Sequence, residues 1–338
     1  MTLNPNKPIL LNRNEYFFPH PPEVIRALTS PYEENFISHY AQTSELDSLK
    51  IAISNKYNVD KSDILLGHGA EDIFVKILSW FRKEIDSIVI EDFSWTNYLH
   101  IAEGFEYHVH SIPTLQLNNS FCFNKNGFYE KLSQLKSSIV FITSPNNPTG
   151  HTTDLNDFYN LASFFPQHIF ILDSVYNEII NPHYNSLFTL KNIIFIGSFS
   201  KFFGMPGLRL GYAIGSLPRA FQLNLGLQPS TIYAALAALN NFETYQDNRN
   251  FMLSFTQSLL EKNYRNLEIY KSSAPFFLAK VTSLQNSSQI DFARAEIVSG
   301  VIPKYIYRDE DIYLRFGLGP KEICSKIEVY LNSLSSIL

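Results

Sequence analysis

Cysteine is scarce in this chain of 338 residues. There are two, Cys122 and Cys324, far apart and in no CxxC pair, so free thiols in a reducing compartment are expected and no metal site is. Charge is sparse as well, at 17% of residues. The net charge of −5 has the wrong sign for nucleic acid or an anionic membrane surface. No apolar stretch reaches about 18 residues, which leaves no candidate for a membrane span. The start, Met1 to Pro8, has no signal-peptide pattern, and a cytoplasmic location is expected. Internal repeats and low-complexity linkers are absent too. Apolar and aromatic residues, in contrast, are plentiful, at 45% and 14%. They suit a compact globular chain with a sizeable core, long enough for two domains.

Short β-rich runs recur at Ile64–Leu66, Ser87–Glu91, Ser138–Thr143, Ile169–Asp173, Ile193–Ser198 and Tyr212–Ile214. Several are unbroken apolar runs, as strands covered on both faces require. Helical patterns lie between them: Leu46, Leu49 and Ile53 share one face, as do Ile73, Phe74, Ile77, Leu78 and Phe81. Strands alternating with helices predict an α/β fold with a parallel sheet. After about residue 220 the pattern changes. Residues 230–272 read as helices, Phe276–Val281 and Tyr313–Phe316 as strands, and Lys321–Leu334 as a last helix. The expected division is an arm over 1–40, a large α/β domain over 41–225 and a small α+β domain over 226–338.

Five motifs carry chemistry. Gly67-His-Gly-Ala-Glu-Asp72 leads from a strand into a helix; such a turn offers free N–H groups and a positive dipole end to an anion, though a plain connection would read the same. Ser144-Pro-Asn-Asn-Pro-Thr-Gly150 and Asp173-Ser-Val-Tyr176 follow strands at the carboxyl end, where open α/β sheets place their sites. Ser198-Phe-Ser-Lys201 has an arginine, Arg209, eight residues later. A buried lysine can lose its proton and attack an aldehyde, forming a Schiff base. Serine hydroxyls and an arginine fork can hold a phosphate. Arg315 stands among apolar residues in Tyr313-Leu-Arg-Phe-Gly317.

In this order the motifs resemble those of the class I/II aminotransferases, the fold-type I enzymes that use pyridoxal 5'-phosphate (PLP). The resemblance runs from residue 39 to 319 and implies a mainly parallel central sheet with helices on both faces plus the small C-terminal domain. It implies that Lys201 carries the cofactor and acts as general base, and that Asp173 pairs with the ring nitrogen. Asn147 and Tyr176 would hold the ring oxygen. Gly69, Ala70, Glu71, Ser198, Ser200 and Arg209 would hold the phosphate. Trp95, in Glu91-Asp-Phe-Ser-Trp-Thr-Asn-Tyr98, takes the position of a ring-stacking aromatic, with Tyr98 as the alternative register. Arg315 matches the arginine that clamps the substrate's carboxylate.

Within that family the pattern is similar to histidinol-phosphate aminotransferases. His39-Tyr40 resembles a segment whose tyrosine reaches the phosphate of a neighbouring subunit, and this implies a homodimer. Asn12-Arg-Asn14 resembles a substrate-covering arm, with Asn14 against the substrate and Arg13 where a glutamate is usual. Lys304 stands where an arginine would help hold a substrate phosphate, and a point charge is not a fork. The implied function is transfer of an amino group between an amino acid and a 2-oxo acid. Histidinol phosphate and aromatic amino acids are the candidate donors. A threonine-phosphate decarboxylase-like enzyme, or another lyase or cyclase on the same scaffold, is the alternative.

Overall fold

The protein is described here from a computed structural model, covering residues 7–29, 40–176, 187–218, 226–282 and 292–337. The chain begins with β1 (Ile9–Leu10), α1 (Pro22–Thr29) and α2 (Thr43–Tyr57). Strands and helices then alternate: β2 (Ile64–Gly67), α3 (Ala70–Phe81), β3 (Ser87–Glu91), α4 (Thr96–Gly104) and β4 (His108–Ile112). A small ribbon, β5 (Leu115–Leu117) and β6 (Ser120–Cys122), precedes α5 (Lys125–Gln134), β7 (Ile139–Thr143), α6 (Leu155–Phe164), β8 (Ile169–Asp173), β9 (Ile193–Ser198) and β10 (Gly211–Gly215).

These strands build a seven-stranded sheet in the order β2-β10-β9-β8-β7-β3-β4. All neighbours from β9 to β4 pair in parallel, and β10 runs antiparallel to both β9 and β2. The central strands are apolar on both faces because both faces are covered. Val140, Ile142, Phe170, Leu172 and Phe195 meet α2, α5 and α6 on one side. Ile139, Phe141, Ile171, Ile194 and Ile196 meet α3 and α4 on the other. The edge strand β4 escaped the sequence reading, since His108-Val-His-Ser-Ile112 is polar and half-exposed, as an edge permits.

The remaining chain holds α7 (Pro229–Asn240), α8 (Phe242–Leu260), β11 (Leu267–Ile269), β12 (Phe276–Val281), α9 (Phe292–Ser299), β13 (Val301–Ile302), β14 (Lys304–Arg308), β15 (Asp311–Gly317) and α10 (Lys321–Ile337). An antiparallel sheet of order β11-β12-β15-β14 packs its own core, including Leu259, Phe277, Leu314, Phe316, Ile327 and Tyr330. Helix does not continue to residue 272 as the sequence reading expected. It stops at Leu260, and Leu267 and Ile269 alternate around Glu268 to pair with β12. The N-terminal segment joins this second core: β1 pairs in parallel with β13, and Leu11 is fully buried there.

Candidate active site

Four of the five motifs lie at or just beyond the ends of strands of the large sheet, and the Arg315 motif lies in β15 of the small one. β3 leads to Trp95 and Tyr98, β7 to Asn147, β8 to Tyr176, and β9 to Ser200 and Lys201. Since β2, β3, β7, β8 and β9 all point one way, their carboxyl ends converge. There they enclose a cavity of about 340 Å³ lined by Ala70, Glu71, Trp95, Tyr98, Asn147, Asp173, Tyr176, Ser198, Ser200, Lys201, Arg209 and Arg315, with Asn12 and Arg13 from the N-terminal segment.

Asp173 and Lys201 are shifted by the same cause in opposite directions. Burial removes water from both and disfavours whichever form is charged. Asp173, 3% exposed, is pushed up to about 6, although the Tyr98 hydroxyl and the Val175 N–H (3.1 Å) donate to its carboxylate. Lys201 is brought down to about 8, by burial first and by Arg315 next. Its Nζ donates to the carbonyls of Arg13 (2.6 Å) and Asn14 (3.4 Å).

Three side chains meet at the opposite wall. The Asn147 amide donates to the Tyr176 hydroxyl (3.2 Å), and Asn14 Nδ2 donates to the same oxygen (3.2 Å). Arg315, 6% exposed, donates from Nη1 to Asn147 Oδ1 and from Nη2 to the Asn12 carbonyl (2.6 Å). Its buried Nε has no partner among the described residues.

A cationic corner of the cavity is built around Arg209. Gly69 precedes α3 with φ +90°, and a Cβ there would come within 2.7 Å of Arg209 Nη2. Glycine suits this place because φ +90° is a conformation that L side chains rarely adopt, and the bare backbone lets the guanidinium lie over it. The amide groups opening α3, Ser198 and Ser200 complete the corner.

Not every expected residue reaches the cavity. Asn14 does not line it; its side chain is spent on Tyr176 and its carbonyl on Lys201. Gly69 acts through Arg209 rather than by lining the wall. Lys304 pairs across from Arg315 on β14, but its side chain is exposed and away from the cavity. Tyr40 is 69% exposed and also outside it, and His39 lies outside the described residues. Trp95 and Tyr98 both line the cavity, with rings perpendicular and 4.9 Å apart. The Tyr98–Asp173 hydrogen bond was not foreseen. Its one sequence signal is an aromatic three residues beyond Trp95, read from sequence as the alternative register for the stacking ring.

The model of the family "Aminotransferase class I and II" matches residues 6–315. The chain belongs to that family. It is a PLP-dependent aminotransferase, whose substrates are amino acids and 2-oxo acids. Among curated relatives, histidinol-phosphate aminotransferase 1 of Mannheimia succiniciproducens is 28% identical over 84% of this chain and 76% of its own length. The histidinol-phosphate aminotransferase of Leptospira interrogans is 24% identical over 95% of this chain and 88% of its own. The crystal structure of the Sinorhizobium meliloti histidinol-phosphate aminotransferase in complex with PLP shares the fold, with a TM-score of 0.77 at 18% identity over 98% of this chain and 92% of that one.

The cavity of this aminotransferase fits the cofactor by its own chemistry. Asp173 is a buried carboxylate with hydrogen-bond donors but, among the described residues, no cation beside it, and a protonated ring nitrogen would supply one. Lys201 has a lowered affinity for its proton, and the Arg209 corner, at the mouth of α3, has the charge to hold a phosphate. Among the described residues no helix is long and apolar enough to cross a membrane.

Proposed function

We propose that this aminotransferase takes histidinol phosphate, or an amino donor of the same class, and passes its amino group to a 2-oxo acid. The juxtaposition of Lys201 with Arg315 in one cavity carries the reading, because it sets a base beside a fork for an anionic substrate group. The names of the most similar curated relatives support the choice of donor.

The residue roles follow from position. The chemistry PLP supplies when bound is an aldehyde carbon that takes up the amino group and a ring that draws electrons from the substrate carbon. Arg209, Ser198, Ser200 and the start of α3 would hold its phosphate, and Asp173, steadied by Tyr98, would pair with its ring nitrogen. Asn147 and Tyr176 hold the ring oxygen, while Trp95 covers a ring face. Lys201, whose hold on its proton is weakened, would be the general base that takes and gives a proton beside the substrate carbon. Arg315 presents a planar fork to the substrate's phosphate or carboxylate. Asn14 steadies Tyr176 and, with Arg13, closes the cavity over Lys201. Lys304 has no part in this scheme.

The same reading includes a homodimer, with the exposed Tyr40 directed to a partner's site, and a cytoplasmic location. It divides the chain into an arm (1–40), a large domain (41–225) and a small domain (226–338). The test adds histidinol phosphate and a panel of amino acids to the PLP-loaded protein, following visible absorbance and released CO₂. Loss of the visible band with histidinol phosphate, without CO₂, is the expected result. Release of CO₂, or a response confined to aromatic amino acids, would overturn the assignment of donor and reaction.

A further inference from the structure

Beneath the cavity floor lies a second set of buried polar groups that touches none of the reacting atoms. Glu91 ends β3 and is 1% exposed, and His151 follows the Asn-Pro-Thr-Gly turn and is 6% exposed. Sixty positions apart in sequence, they meet with His151 Nε2 3.2 Å from Glu91 Oε1. The contact is close but lacks hydrogen-bond alignment: neither Glu91 oxygen nor His151 Nε2 has a hydrogen-bond partner among the described residues, so each is the other's nearest polar counterpart. On its other side, His151 Nδ1 is 2.7 Å from the Thr149 hydroxyl. Asn146 donates from Nδ2 both to Thr149 Oγ1 (2.7 Å) and to the Phe93 carbonyl (2.8 Å), and its Oδ1 accepts from Thr143. Thr149 and Asn146 are fully buried.

Counting donors gives the chain a direction. Asn146 spends both amide protons, one of them on Thr149. The single Thr149 proton then has His151 Nδ1 as its acceptor. A proton on Nδ1 would leave the hydroxyl's own proton without a partner, so the imidazole proton sits on Nε2, facing the Glu91 carboxylate. The series from Asn146 through Thr149 and His151 to Glu91 therefore joins two loops. One, beyond β3, carries Phe93 and then Trp95 and Tyr98. The other, beyond β7, carries Asn147, whose turn is closed by backbone bonds from Asn146 to His151 (2.8 Å) and from Gly150 to Asn146 (2.7 Å).

We propose that Glu91 and His151 are positioning residues that hold these two loops in register, and so set Asn147 at the ring-oxygen end of the cofactor site. The inference rests on the cofactor reading above. It uses groups that a plain apolar filling could replace if shape alone mattered, and an unmatched buried carboxylate is too costly to keep without a partner.

The experiment compares His151→Leu and His151→Gln with the wild type. It measures PLP affinity and the pH midpoint of the loaded protein's visible absorbance, alongside thermal unfolding of the cofactor-free form. Glutamine keeps an acceptor for Thr149 and a donor for Glu91; leucine keeps only bulk. His151→Leu is expected to weaken PLP binding about 10-fold and move the midpoint by about half a pH unit, as misplaced supporting groups do. His151→Gln is expected to stay within about twofold of wild type. Leucine behaving as wild type, or glutamine failing as leucine does, overturns the proposal. Should His151→Leu not fold, Glu91→Gln takes its place with the same expected losses, and an unchanged affinity and midpoint overturn it equally. Wild-type protein that takes up no PLP would instead overturn the cofactor reading and this one together.

Discussion

Lys201 and Asp173 show what a dry cavity does to single groups. Each is held away from its usual protonation range by loss of water, and each becomes useful for that reason. Replacing Lys201 by alanine should lower transamination by at least about 100-fold, since the base and the cofactor's anchor are lost together; single-turnover kinetics with added PLP would measure it. For Asp173 the consequence in the cofactor-free protein is a pH dependence of stability. Its folded pKa, about 6, lies above the ordinary 3.8, so the folded form binds the proton more tightly. The stabilisation is complete below 3.8 and is lost as pH rises through about 6. Urea unfolding of the cofactor-free protein should therefore show a gain of about 3 kcal/mol as pH falls across that window, absent in Asp173→Asn. PLP would reverse the preference by giving the carboxylate a cation.

The site is assembled by elements rather than by any one loop. Five strand ends facing one way put residues from distant segments around a single cavity, and the glycine before α3 lets Arg209 lie against the backbone. Gly69→Ala is expected to push the guanidinium aside and strain the +90° backbone. An approximately 10-fold or greater loss of PLP affinity should follow, with titration by absorbance as the measurement. The element reading from sequence was most accurate where burial was most complete. The unbroken apolar runs at Ile139–Thr143 and Ile169–Asp173 are the central strands β7 and β8. It was weakest at edges, such as β4 and β14, where polar residues alternate without needing to face a core.

At the scale of the molecule, the N-terminal segment crosses from one core to the site of the other. Leu11 is anchored in the small sheet's core, while the carbonyls of Asn12, Arg13 and Asn14 reach Arg315 and Lys201. Arg308 ties the small sheet to the end of β3 through Asp92, at 2.7 Å. Tyr40 is exposed, and the proposed dimer would direct it to a partner's site. Light scattering should find a particle of twice the chain's 38.8 kDa, and Tyr40→Phe should weaken PLP binding without dissociating it. A monomer with full activity would overturn that arrangement.

The chemical identity of the cavity was legible in the chain itself. Lys201, Asp173, Asn147, Tyr176, Arg209 and Arg315 each stand in a short motif and all line one cavity; for Lys201, Asp173, Asn147 and Tyr176, strand direction in the large sheet brings the motifs to one edge. Other features had no local signal. That Arg315 lines the cavity while Lys304, its partner on the edge strand β14, stays exposed and outside it depends on how the small sheet is set against the large one. Tyr98 meeting Asp173, and Glu91 meeting His151, depend on strands β3, β7 and β8 lying side by side. Sequence by itself determined the buried central elements and the reactive residue types, because periodicity and turn chemistry act over a few residues. Tertiary structure alone decided which polar groups face each other, because those contacts join residues tens of positions apart and form only when the strands pair.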